Sequence, residues 1–194
     1  MWIVLGLGNP GPAYACMRHN VGFMVIELIA RRWSIPFESA AGLRVGRGCV
    51  ADQPALLVKP QTFMNRSGEA ISRLDRQPED SVVAVYDDLD LPAGLMRVRE
   101  RGGSGGHRGV ASLIEHLGPE FARVRVGIGR PPSSGAVADY VLATPTEAES
   151  AALDAAVASA GDAVECILAD GTAAAMNRFN GRSADEPSQF AKEK

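Results

Sequence analysis

Apolar residues come in short bursts along this chain, and the spacing inside each burst separates strands from helices. Trp2-Ile3-Val4-Leu5 is a β-branched run ending in glycine and reads as a buried strand. Val21, Met24, Val25, Leu28 and Ile29 keep a helical period, predicting a helix from about Asn20 to Trp33 that stops ahead of Pro36. Arg44 to Ala51 and Ala55 to Val58 read as strands joined through Asp52-Gln53-Pro54, a hairpin-like connection. Ala70, Ile71 and Leu74 share one face of a further helix. Ser81 to Tyr86 is the most strand-like segment, and Leu95 to Arg101 alternates apolar and basic residues, a half-exposed strand with an arginine face. The glycine-rich stretch Gly102 to Gly109 feeds a helix to about Leu117, and Phe121 to Ile128 forms another strand, with Arg123 and Arg125 on one face. Pro131 to Gly135 reads as loop and Val137 to Leu142 as a short extended piece. An alanine-rich helix is expected from Pro145 to about Ala169, its acids Glu147 and Glu149 suiting the macrodipole, and a shorter helix over Thr172 to Phe179.

Strands and helices thus alternate irregularly and without internal repeat. The predicted fold is α/β: a single three-layer domain over residues 1–182, with a central mixed β-sheet flanked by helices. Residues 183–194 form a polar C-terminal tail.

Composition narrows the function classes. At 194 residues and 46% hydrophobic content, the chain can bury one well-formed core. A net charge of −3 argues against a protein that coats nucleic acid indiscriminately, although a local basic surface is compatible with it. Cys16, Cys49 and Cys166 are widely spaced and include no C-x-x-C pair, so neither a zinc site nor a disulfide framework is indicated. No stretch reaches membrane-span length and no secretory signal precedes the first strand, which predicts a cytoplasmic domain.

The candidate chemistry centres on Gly6-Leu7-Gly8-Asn9-Pro10-Gly11 and Arg18-His19-Asn20. The first strand must turn sharply at its glycines, with Asn9 at the exit, and the chain returns to His19 at the start of the next helix. The positive end of that helix disfavours an imidazolium and predicts a neutral His19, able to accept a proton. Plain helix capping is the alternative for His19 and Asn20, as it is for Asn65. The first motif also matches the dinucleotide fingerprint G-x-G-x-x-G. However, Pro10 removes one of the N–H donors a pyrophosphate needs, and Lys59-Pro60 stands where the ribose-binding acid belongs. Asp87-Asp88-Leu89-Asp90 ends the strand at Tyr86, and the carboxyl ends of parallel strands are where open α/β sheets place chemistry. The Gly102–Gly109 stretch lacks the G-K-[ST] ending of a P-loop, but its N–H groups can hold a backbone phosphate, or it can be a flexible linker.

Taken together, these segments resemble the bacterial-type peptidyl-tRNA hydrolases. The resemblance is carried by Gly6 to Gly11 with Tyr14 and Arg18-His19-Asn20, by Lys59-Pro60-Gln61-Thr62-Phe63-Met64-Asn65 with Ser67-Gly68, and by Asp87 to Pro92. Gly102 to His107 and Arg125-Val126-Gly127-Ile128-Gly129-Arg130-Pro131 complete it, in the family's order and spacing. It implies an enzyme that cleaves the ester between a peptidyl group and the 3′-terminal ribose of tRNA, recycling tRNA from aborted translation. A cytoplasmic monomer working without metal or organic cofactor is implied as well. By the same resemblance His19 is the general base and Asp87 its orienting partner, while Asn9 and Asn65 hold the peptidyl carbonyl and the attacking water. Tyr14 and Met64 are walls against the 3′-terminal nucleotide or aminoacyl portion, and His107 belongs with the substrate-binding residues. One position departs from the family: Arg108 stands where an asparagine is common, and is expected to bind tRNA phosphate instead.

The rival readings are a catalytically silent RNA-binding relative and a metal-assisted hydrolase using Asp87, Asp88 and Asp90. Carboxylates alternate faces along a continuing strand, so those three are not expected to converge.

Overall fold

The computed structural model describes residues 1–131 and 136–181. The expected loop over 131–135 and the expected tail over 183–194 therefore lie largely or wholly outside the described residues. The sheet holds seven strands in the order β2-β3-β4-β1-β5-β7-β6. These are β1 (Trp2–Gly6), β2 (Glu38–Ala40), β3 (Leu43–Val50), β4 (Gln53–Pro60), β5 (Ser81–Asp88), β6 (Met96–Arg99) and β7 (Ala122–Gly127). The central strands β4, β1, β5 and β7 run parallel, whereas β2, β3 and β6 are antiparallel to their neighbours. The sheet is thus mixed, as the sequence predicts.

Strand alternation divides the core into two layers. Val4, Val83, Val85 and Val124 pack with α1 (Val21–Arg32), α5 (Glu147–Asp170) and α6 (Thr172–Phe179) on one face. Ile3, Leu5, Ala84 and Tyr86 pack with α2 (Ser67–Ile71) and α3 (Arg108–Leu117) on the other. Burial on both faces explains why β1 and β5 are near-continuous apolar runs.

Two local expectations need correction, and one short strand was not anticipated. The β3–β4 turn is the pair Ala51-Asp52, both at positive φ, and Gln53 and Pro54 already belong to β4. Pro54 precedes Ala55, the first β4 residue in register with β1, so a proline is tolerated there. Short β2 pairs with β3 although all of its residues are exposed, so it carries no apolar signal. Val137 to Leu142, expected to be extended, contains the helix α4 (Val137–Val141). Contacts distant in sequence fix it: Tyr140 Oη donates to Ile128 O at 2.6 Å, and Arg18 Nη1 donates to the carbonyls of Tyr140 and Ala143 at 3.2 Å each. A cation on the last carbonyls favours a helix.

Gly6 and Gly22 position the site. A Cβ on Gly22 would lie 2.5 Å from the backbone N and O of Leu7, and one on Gly6 would lie 2.5 Å from Ile26 Cγ1. Helix α1 therefore begins in backbone contact with the ends of β1 and β5, which no side chain would permit. That contact carries His19, just ahead of the helix, to the end of β5.

Candidate active site

A cleft of about 1000 Å³ opens at the carboxyl ends of the parallel strands. Each sequence-predicted site residue lines it: Asn9, Tyr14, His19, Met64, Asn65, Asp87, His107 and Arg108.

Asn9 leaves β1 and is 6% exposed. Its Oδ1 accepts the N–H of Met64 at 2.9 Å, which assigns the amide orientation and leaves the Nδ2 donors to the cleft. The backbone of Asn9 is held from both sides by one side chain: its N–H donates to Asn20 Oδ1 and its carbonyl accepts from Asn20 Nδ2, both at 2.9 Å. Asn20 stands at the N-cap position, but its side chain makes no capping hydrogen bond to α1. It is a clamp that the capping interpretation missed.

His19 lies in the 3₁₀ turn Arg18–Asn20. Its Nδ1 meets Asp87 Oδ1 at 2.8 Å. Nε2 has no partner among the described residues and faces the cleft. The neighbouring Arg18, whose side chain is 7% exposed, pairs with Glu149 at 2.6 Å and stacks over Tyr140 at 4.3 Å. The turn that carries His19 is thereby tied to α4 and α5. Glu149 also closes the capping box on Thr146 at the start of α5, so its position is set from two sides.

Asp87 is the penultimate residue of β5 and is buried. The same Oδ1 that meets His19 also meets His107 Nε2 at 3.0 Å. Burial alone pushes a carboxyl upward. Here the attraction and hydrogen bond of His107, followed by those of His19, outweigh it and hold Asp87 well below the usual carboxylate range. Asp87 is thus an anion with two donors on one oxygen. Tyr86 beneath it is pushed up to about 12, chiefly by burial.

His107 is the N-cap of α3, its Nδ1 accepting the N–H of Val110 at 3.2 Å. Both ring nitrogens are therefore engaged within the protein. Asn65, in contrast, is exposed inside the 3₁₀ turn Met64–Arg66; it caps nothing, and its side chain has no partner among the described residues. The side chain of Met64 is buried and its N–H is committed to Asn9. Arg108, the first residue of α3, is exposed and has no ion-pair partner among the described residues.

The three aspartates diverge. Asp88 pairs with Arg125 and Asp90 with Arg130, away from Asp87. A different grouping, His19, Asp87 and His107, brings potential ligand atoms within 4.8 Å of one another. With Nδ1 of His107 accepting from Val110, its Nε2 carries the ring proton. Ligating an ion there would therefore cost the helix cap. Arg123, on the same face of β7 as Arg125, is 1% exposed and donates to the carbonyls of Pro119, Phe121 and Gly102. It braces the start of the glycine-rich loop from the wall of the cleft.

The sequence-distant partners in this site are Asn20, Arg18 and Arg123. Their polar character was visible in the sequence, but nothing local indicated that they would be buried.

Comparison with known proteins agrees with this geometry. Residues 3–187 match the family model described as peptidyl-tRNA hydrolase. The chain is 45% identical over 186 residues to the peptidyl-tRNA hydrolase of Chloroflexus aggregans, covering 93% of this chain and 99% of that one. It is 48% identical over 184 residues to that of a Synechococcus species, covering 92% and 82% respectively. The crystal structure of the peptidyl-tRNA hydrolase of Acinetobacter baumannii superposes with a TM-score of 0.88 at 33% identity, covering 95% of this chain and 96% of that one. With the match spanning sheet, helices and cleft alike, the chain belongs to the peptidyl-tRNA hydrolase family.

Proposed function

We propose that this protein hydrolyses the ester joining a peptidyl or N-blocked aminoacyl group to the 3′-terminal ribose of tRNA, by general-base activation of water. The observation that carries the reading is the His19–Asp87 pair. Nδ1 is engaged by an ionised carboxylate at 2.8 Å, and Nε2 is left to the cleft as the acceptor. Water gives its proton to His19 Nε2 and attacks the ester carbonyl. Asp87 stabilises the imidazolium as it forms. The donors of Asn9 Nδ2 and the free amide of Asn65 hold the carbonyl oxygen and the water. As the tetrahedral intermediate collapses, the ribose oxygen leaves and takes the proton back from Nε2, giving free tRNA and a peptide carboxylic acid that ionises by losing its proton to water.

An ester has a good enough leaving group for this to proceed without a covalent nucleophile. A positioned base supplies about 10²–10⁴-fold, and each oxyanion donor roughly 3–4 kcal/mol. Tyr14 and Met64 form the wall for the terminal nucleotide or aminoacyl portion, and His107 borders the substrate. Arg108, exposed and without an ion-pair partner among the described residues, takes a tRNA phosphate, with Arg99 and Arg101 also lining the cleft. A peptide backbone at the amides is preferred over the charged amine of an unblocked aminoacyl-tRNA.

The catalytic unit is residues 1–182, working as a monomer. Among the described residues, no helix is long and apolar enough to cross a membrane, and a tRNA substrate fits a cytoplasmic location. The decisive test is release of N-blocked amino acid from tRNA by the purified protein. His19→Ala should abolish release while leaving tRNA binding intact; retained turnover would overturn the assignment of the base.

A further inference from the structure

We propose that His107 is a positioning residue for the hydrolysis, fixing Asp87 Oδ1 with a proton that its own helix cap confines to Nε2. The proposal rests on the reading of His19 as base and Asp87 as its partner.

Four observations converge on this ring. Its Nδ1 accepts the Val110 N–H at 3.2 Å as the N-cap of α3. A backbone N–H can only donate, so Nδ1 presents its lone pair and the ring proton sits on Nε2. That Nε2 lies 3.0 Å from Asp87 Oδ1, the oxygen that also meets His19 Nδ1 at 2.8 Å. The ring is also held on its faces, tilted against His19 at 5.1 Å between centroids and against Tyr86 at 5.0 Å. On its far edge, a Cβ added to Gly109 would lie 3.1 Å from Cε1.

His107 therefore transmits the position of α3 to the carboxylate. Helix formation sets the cap, the cap selects the tautomer, and the tautomer presents a donor to Asp87. With one oxygen accepting from both imidazoles, Asp87 cannot rotate toward solvent without breaking two hydrogen bonds. His19 consequently keeps Nε2 aimed at the cleft before substrate arrives, the preorganisation that a base needs. No local sequence signal separates this role from capping, because one ring performs both.

The two functions can be separated by substitution. In His107→Asn, Oδ1 sits where Nδ1 was and keeps the cap, but no atom reaches Asp87. In His107→Gln, the amide nitrogen stands the same number of bonds from Cα as Nε2, so the donor to Asp87 is kept while the cap is lost. Steady-state hydrolysis of N-blocked aminoacyl-tRNA and thermal unfolding would be measured for both variants, for His19→Ala and for Asp87→Asn with and without His107→Asn.

His107→Asn should unfold near the wild-type temperature yet lose roughly 10–100-fold in kcat with little change in KM, the worth of a hydrogen bond to a charged group. His107→Gln should recover most of that turnover while unfolding at a lower temperature. Adding His107→Asn to Asp87→Asn should cost little more, since His107 acts through Asp87. A wild-type kcat in His107→Asn would overturn the proposal, as would a loss confined to KM or a full additional loss on the Asp87→Asn background. If His19→Ala stayed active, the base assignment would fall and this proposal with it. An inactive His19→Ala beside a wild-type His107→Asn would remove only the role of His107.

Discussion

Asn9 Oδ1 accepts the backbone N–H of Met64 at 2.9 Å, joining two strand exits 55 residues apart in sequence. This single bond decides which end of the carboxamide faces substrate. The acceptor is used internally, so the cleft receives the donor end, which is what a developing oxyanion needs.

Asn9→Asp tests that directly. One carboxylate oxygen can still accept from Met64, while the other places negative charge where the Nδ2 donors stood. We expect kcat to fall roughly 10²–10³-fold with the thermal midpoint little changed. Turnover within threefold of wild type would remove Asn9 from the oxyanion site.

Asp87 links the site to acid stability. Its carboxyl is held below the ordinary range despite burial, because His107 and His19 favour the anion. A depressed folded pKa contributes stability that is present above the unfolded value of about 4 and lost as pH falls through the folded value. Wild type should therefore lose stability on acidification below about pH 4 more steeply than Asp87→Asn. Denaturant midpoints measured from neutral pH downward would show it, and parallel curves for the two proteins would contradict it.

Arg108 is exposed at the first position of α3 and lines the cleft. If it meets a tRNA phosphate, Arg108→Ala should weaken tRNA binding and reduce the slope of log K against log salt by roughly 0.7–0.9. An unchanged slope would mean that no phosphate contact was lost.

Gly22 holds α1 against the strand ends, with Leu7 N and O both 2.5 Å from where a Cβ would stand. Gly22→Ala should cost roughly 1–3 kcal/mol by overpacking in chemical denaturation. Because the helix start carries His19, kcat should fall as well. Wild-type stability would show that the backbone contact can relax.

Several features were legible in the chain before any fold was known. The β-branched runs at Trp2–Leu5 and Ser81–Tyr86 specified buried strands, and the apolar spacing from Val21 to Ile29 specified a helix, because each signal lies within one element. Motif order resembled a known family for the same reason: glycine turns and strand exits are local. The three-layer arrangement around one mixed sheet followed from element order, and the fold has it.

Other features depend on closure of the sheet. Val137–Val141 is helical because Arg18 and Ile128 supply partners from elsewhere in the chain, and its short apolar–polar pattern was equally compatible with a strand. Asn20 resembled a cap and Arg123 one of a basic pair. Their burial depends on elements that meet only after folding. His107 shows the division most clearly: the resemblance placed it with the substrate-binding residues, while its cap on α3 and its hold on Asp87, 20 residues away, required β5 and α3 to be brought together. Local sequence fixes what a side chain can donate or accept, and only the packed sheet decides which partner lies within 3 Å of it.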